Sequence, residues 1–284
     1  METTVRLNVE PSNLYLQPEA SAICYSMVLI NKLRQERRAA CARLVRELET
    51  EGQARIGSLV ISVPGDGSLA DRLHRIRDYA ASQAVNYETM LVALSLAEAM
   101  NGDLRLIFDS KTGEVRSIGN GESIKGGHAC WILRAANKMF GGQVLNPYDK
   151  ADAVLWREAF TRGALNWAPL SLWTGAGTGR HILLVEGVVG DRVVFFDSYD
   201  GSKQYYRALF TSARSEGGNR WSVNIDELLN SGRIAYSITN EGKFVVKREF
   251  SERIFQSLED FVLLDAIVRS FKYLEKKDEL TRKT

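Results

Sequence analysis

In Gly126-Gly127-His128-Ala129-Cys130 a glycine pair, a histidine and a small residue precede a cysteine, and a helix-compatible run from Trp131 to Phe140 follows at once. That spacing predicts the Cys130 thiol at a helix N-terminus, where unpaired N–H groups and the positive end of the helix dipole favour a thiolate. A thiolate can attack a carbonyl carbon; a thiol cannot. The competing explanation is a cysteine that only fills space, because free Cys packs as a small hydrophobe. A nearby base decides between the two.

His181 is the candidate base. It opens the apolar run His181-Ile182-Leu183-Leu184-Val185, a turn follows at Val189-Gly190-Asp191, and Arg192-Val193-Val194-Phe195-Phe196-Asp197 returns. Two apolar runs about a tight turn predict a β-hairpin. Their offsets from that turn are nearly equal, so the pairing sets positions 181 and 197 side by side. A carboxylate beside an imidazole fixes its tautomer and favours its charged form. If the hairpin packs against the Cys130 helix, the other ring nitrogen can take the thiol proton. His128, two residues before Cys130 on the same loop, lines the site rather than acting as the base.

The rest of the chain must position these groups. Residues 1–20 are polar, with Pro11 and Pro18. From Ser21 to Gly52 apolar residues recur at helical spacing (Ile23, Met27, Ile30, Leu33, Ala40, Leu44, Leu48) and predict one amphipathic helix that carries Cys24 and Cys41. A short strand over Ile56–Val63 and helices over Ser68–Ser82 and Tyr87–Met100 follow, then a hairpin of Leu104–Phe108 with Glu114–Ile118. After Cys130 come a helix over Asp152–Arg162 and an aromatic loop or short strand over Asn166–Trp173. In that segment Trp173 reads either as a packed lid or as the wall of a substrate groove. The glycines of Thr174–Gly179 lack the Lys-Ser/Thr of a phosphate cradle and lead into a strand, so they read as an approach to His181. Ser215–Asn219 reads as a polar loop, Ile225–Leu229 as a short helix, and Ile234–Ile238 with Phe244–Arg248 as a strand pair. A long amphipathic helix over Ser251–Lys276 closes the chain.

With 284 residues, 45% of them hydrophobic, the chain can bury a sizeable core. Its organisation reads as a helical part over residues 1–100 and a catalytic part over 101–284, or as one continuous domain. The formal net charge of +2 comes without a long basic block, so no nucleic-acid partner is expected. No apolar run reaches the ~20 residues that span a bilayer. Three widely spaced cysteines make neither a disulfide framework nor, with three histidines, a metal-ligand pattern, so neither metal nor cofactor is expected. The expectation is a soluble protein of a reducing compartment, cytoplasmic or delivered into a host cell, without a standard secretory signal.

The order Cys130, His181, Asp197, with cysteine opening a helix and the partners on neighbouring strands, resembles the papain-like cysteine hydrolases. Ala129-Cys130-Trp131 followed by Ala135 is similar to their small-Cys-Trp motif, and Asp197-Ser198-Tyr199 resembles the later strands of bacteriocin-leader and bacterial-effector peptidases. The resemblance covers about Gly119 to Gly201. It implies an α+β fold with a nucleophile-bearing central helix on an antiparallel sheet. It also implies a protease acting on a protein substrate, with Trp131 beside the nucleophile. The family's oxyanion-hole Gln, six residues before the nucleophile, is here Ile124, which leaves the Cys130 N–H with Asn120, Ser123 or Lys125 as donors. That departure keeps open a glutamine deamidase or an acyltransferase of the transglutaminase kind. A papain-like binding protein without turnover stands as the alternative from another class.

Overall fold

Nine consecutive residues of helix α1 (Cys24–Glu36), from Tyr25 to Leu33, are buried in the computed structural model. The structure describes residues 24–100, 106–108, 115–117, 129–141, 144–145, 152–173, 180–199 and 205–240. A helix buried on every side lies inside a protein, not on it. The single helix expected over Ser21–Gly52 therefore divides. Arg37 leaves helical geometry (φ −144°, ψ 56°), and α2 (Arg38–Glu51) continues as a surface helix that buries only Leu44, Val45 and Leu48. Neither glycine nor proline causes the break. The Arg37 guanidinium donates to the Met139 carbonyl at 3.2 Å and sits 5.7 Å from the Phe140 ring centre, so tertiary contacts override the local helical preference.

A hairpin, β1 (Gln53–Ile56) and β2 (Leu59–Ser62), precedes α3 (Leu69–Ser82) and α4 (Tyr87–Met100). Ser68 caps α3 through a reciprocal capping box with Asp71, which fixes the helix start where the sequence reading placed it. Then come the small hairpin β3 (Leu106–Phe108) and β4 (Val115–Ser117), α5 (Ala129–Phe140), β5 (Val144–Leu145) and α6 (Asp152–Thr161). The last part holds β6 (Ala168–Trp173), β7 (Arg180–Val189), β8 (Arg192–Phe196), α7 (Tyr205–Leu209), β9 (Arg214–Gly217), β10 (Arg220–Asn224), α8 (Ile225–Asn230) and β11 (Ile234–Ile238). Seven of these strands form one antiparallel sheet in the order β5-β11-β6-β7-β8-β10-β9.

Helices cover both faces of that sheet. Alternate residues of β7 divide between two cores: Ile182 and Leu184 join the cluster of α1, α2, α4 and α5, while Leu183 and Val185 join that of α6, α7 and α8. The first cluster runs from α1 through α5 to β11 and so spans residue 100. Lys32, buried in α1, reaches Asn240 Oδ1 at 2.5 Å and Glu36 Oε1 at 2.7 Å, tying the helix to the chain just beyond β11. The protein is thus mixed helix and antiparallel sheet, the α+β class expected. The segment over Asn166–Trp173 contains a six-residue strand buried throughout; a strand covered on both faces shows no alternation to read. Ser215–Asn219 spans most of edge strand β9, whose residues are all exposed and without an apolar side chain. β11 is flanked by β5 and β6, and its expected partner Phe244–Arg248 lies outside the described residues, as does the helix expected over Ser251–Lys276.

Candidate active site

The β7–β8 hairpin places the two polar groups. It turns at Gly190 and Asp191 between the paired residues Val189 and Arg192, and Gly190 adopts φ +60°, which favours glycine. The register then shifts between Val185 and Gly187, so Glu186 is an extra residue on β7. Beyond this bulge Leu184 faces Phe196. Continued past that last pair, the register sets Asp197 level with Leu183, and His181 lies two residues on, with the same side-chain alternation. Without the bulge Leu184 would oppose Asp197 and His181 would project from the other face. The two groups are therefore diagonal neighbours, not the directly opposed pair that equal offsets imply.

His181 Nε2 lies 2.8 Å from Asp197 Oδ1. Asp197 has no exposed surface, while the His181 side chain keeps 18% of its own. The carboxylate accepts two further hydrogen bonds: from the Tyr199 N–H to Oδ1 at 2.9 Å and from the Tyr206 hydroxyl to Oδ2 at 2.7 Å. The Asp197 N–H donates to the Asn219 carbonyl at 3.0 Å, which carries the β8–β10 pairing past Phe196 and fixes the backbone beneath the side chain. Burial alone would raise the Asp197 carboxyl; the hydrogen bond and charge of His181, with Tyr206 and Tyr199, hold it below the usual range.

The sulfur at His181 belongs to Cys24. That thiol lies near enough to the imidazole to favour its charged form through side-chain hydrogen bonding and charge. With Nε2 turned to Asp197, Nδ1 is the nitrogen left for sulfur. Burial works against the imidazolium, yet the hydrogen bonds to Asp197 and Cys24 and their charges outweigh it and raise His181 from 6.5 to about 10. Cys24 is the first described residue of α1 and is partly buried. α1 lies along β7 and β6 in the first core, and this packing brings the start of the helix to the start of β7.

The expectation that Cys130 faces His181 rests on a side chain outside the described residues. Cys130 is the second residue of α5, near a helix start as its glycine-rich approach implies, but α5 packs through Ile132, Ala135, Ala136, Met139 and Phe140 against α4, α1, β2 and β11. The described sulfur partner of His181 comes from the central helix instead. Asn120, Ser123, Lys125 and His128 lie outside the described residues, as do the side chains of Cys130 and Trp131. Trp173 ends β6 beside Leu172, which pairs with His181; at 4% exposure its side chain belongs to the first core and not to an open groove wall. Thr174–Gly179 also falls outside the described residues.

Cys24 has a signal in the sequence that periodicity alone obscures. Cys24 to Leu33 is too uniformly apolar for a surface helix, and its few polar members, Ser26, Asn31 and Lys32, are buried as well. The third cysteine, Cys41, sits in a cleft of about 160 Å³ lined also by Arg34, Arg38, Glu88 and Thr89, and burial pushes its thiol up against the opposing pull of Arg34. Among the described residues no cluster of His, Cys, Asp and Glu could hold a metal ion, and no helix is long and apolar enough to cross a membrane. Comparison with family models, with curated proteins and with solved structures finds no match to this chain.

Proposed function

We propose that the protein is a thiol-dependent enzyme of amide acyl transfer, with Cys24 as nucleophile, His181 as general base and acid, and Asp197 as the carboxylate that orients the imidazole. One observation carries the reading: a single imidazole joined on one side to a buried carboxylate and on the other to a thiol on a central helix. The proton shared by the pair rests on His181, whose hold on it is raised, and the Cys24 thiolate adds to the amide carbonyl; the imidazolium then protonates the leaving amine, and water releases the acyl group in the reverse sense. Asp197 stays ionised and lends its charge to the imidazolium.

The order Cys24, His181, Asp197 keeps the sequence of the papain-like hydrolases, and a helix set against an antiparallel sheet agrees with that resemblance. The substrate class most consistent with this resemblance is a protein, cleaved at its backbone. The test is intact-mass analysis of protein mixtures incubated with wild type, Cys24→Ala and Cys130→Ala. Wild type and Cys130→Ala should produce a backbone cut, and Cys24→Ala none. A gain of about 1 Da without a cut would assign a deamidase with the same residues. No change with any variant, alongside a Cys24 thiol no more reactive than a free one, would leave a binding protein on the same scaffold.

A further inference from the structure

The Asp197 carboxylate has two oxygens, and only one faces His181. Oδ1 takes the Nε2 hydrogen bond and the Tyr199 N–H, whereas Oδ2 takes the Tyr206 hydroxyl, at 2.7 Å in a buried setting. We propose that Tyr206 is a positioning residue for the pair: its phenol pins Oδ2, and so holds the carboxylate in the rotamer that presents Oδ1 to His181.

Tyr206 is built to hold that place. It has no exposed surface. Its ring meets Phe195 edge-on, with centres 5.0 Å apart and planes at 62°, and Trp221 at 5.2 Å and 46°. Phe195 and Trp221 are directly paired across β8 and β10, and Phe195 lies two residues before Asp197 on the same side of the strand. The tyrosine ring is thus clamped on the cross-strand pair next to the carboxylate it serves. A carboxylate pinned at one oxygen only could swing about its Cβ–Cγ bond and weaken the hydrogen bond that orients the imidazole. The sequence offers no motif for this contact; α7 is a five-residue helix that the strand order carries back over the second core.

The inference rests on the proposed reading of His181 as base for Cys24, but its test does not need a substrate. Only His74, His128 and His181 are present, so imidazole signals from ¹⁵N-histidine-labelled protein can be assigned by substitution. In the wild type the Nε2–H of His181 should give a far-downfield proton signal in slow exchange with water. In Tyr206→Phe, which keeps the stacked ring, that proton should exchange about tenfold faster, and Cys24 alkylation should slow by a similar factor while cooperative unfolding remains. Unchanged exchange and alkylation in a folded Tyr206→Phe would overturn the role of Tyr206 and leave the Cys24 reading standing. An exchange effect in a wild type whose Cys24 is unreactive would do the reverse. A wild type without the downfield signal would remove the pair itself. Should Tyr206→Phe not fold, 3-fluorotyrosine at position 206 keeps the shape and strengthens the donor. The His181 signal must then move, and a signal that stays in place refutes the linkage.

Discussion

Replacing Asp197 in two ways separates its charge from its geometry. The carboxylate accepts from His181 Nε2, the Tyr199 N–H and the Tyr206 hydroxyl at 2.8, 2.9 and 2.7 Å. Asp197→Ala removes the acceptor of all three. An orphaned buried donor costs about 1–3 kcal/mol, and water entering the vacated space recovers part, so a net loss of about 3–5 kcal/mol is expected. Asp197→Asn keeps the shape. Its amide oxygen can accept from His181 and Tyr199, and the Tyr206 hydroxyl can rotate to accept from the new NH₂, because a hydroxyl both donates and accepts. Only the charge assistance goes, worth about 1–2 kcal/mol. Urea unfolding of each variant at neutral pH, with an unchanged slope against denaturant, reads both numbers. Adding Tyr206→Phe to Asp197→Asn removes a bond already weakened by the loss of charge, so the two changes together should cost about 1 kcal/mol less than their separate effects added. Equal losses for Asp197→Ala and Asp197→Asn, with no coupling to Tyr206, would refute the three-donor geometry.

Four further expectations concern pH and packing. The imidazolium of His181 is stabilised by folding, so its contribution is complete below about pH 6.5 and is lost as pH rises toward about 10. NMR titration should find the midpoint well above 6.5 in the wild type and lower in Asp197→Asn. The Asp197 carboxyl, held low, contributes above about pH 3.9 and loses its effect as pH falls further. Unfolding measured between pH 5 and 2 should therefore fall more steeply in wild type than in Asp197→Asn. Glu186, the bulged residue, is 3% exposed and pairs with Arg220 Nε at 2.7 and 3.0 Å; Arg220→Ala strands that carboxylate and should cost about 3–5 kcal/mol in urea unfolding. Gly57 adopts φ +57° with the site of a Cβ 2.1 Å from the Lys138 carbonyl, beside the Ser58-to-Lys138 hydrogen bond that joins the β1–β2 hairpin to α5. Gly57→Ala combines strain with a backbone clash and should cost at least about 2 kcal/mol in the same assay.

How far the site was legible follows from the range of each signal. His181 and Asp197 lie sixteen residues apart in one hairpin, so turn chemistry brings the two positions near each other, and the bulge at Glu186 puts their side chains on one face. The bulge at Glu186 is not written in the alternation, and a buried charge in an apolar strand is the trace it leaves once Arg220 is known to face it. Cys24 is 157 residues from His181, and only tertiary packing joins them. Helical spacing continues smoothly across Arg37, so α1 and α2 read as one surface helix, and a cysteine on such a helix looks unremarkable. Cys130 carried the stronger local signal, a helix start after two glycines, but a local signal says nothing about which helix the sheet will bury. Edge strand β9, exposed in all four positions and without an apolar side chain, reads as a loop because its pairing with β10 supplies what its composition does not.

The central claim is that the imidazole of His181 serves Cys24, and alkylation of the native, reduced protein tests it directly. Iodoacetamide at pH 6, followed by peptide mapping, should label Cys24 at least about tenfold faster than Cys41, whose thiol is pushed up by burial, and faster than Cys130. His181→Ala should bring the Cys24 rate down to that of an unassisted thiol. Preferential labelling of Cys130, with a rate that falls in His181→Ala, would contradict the account and return the nucleophile to α5.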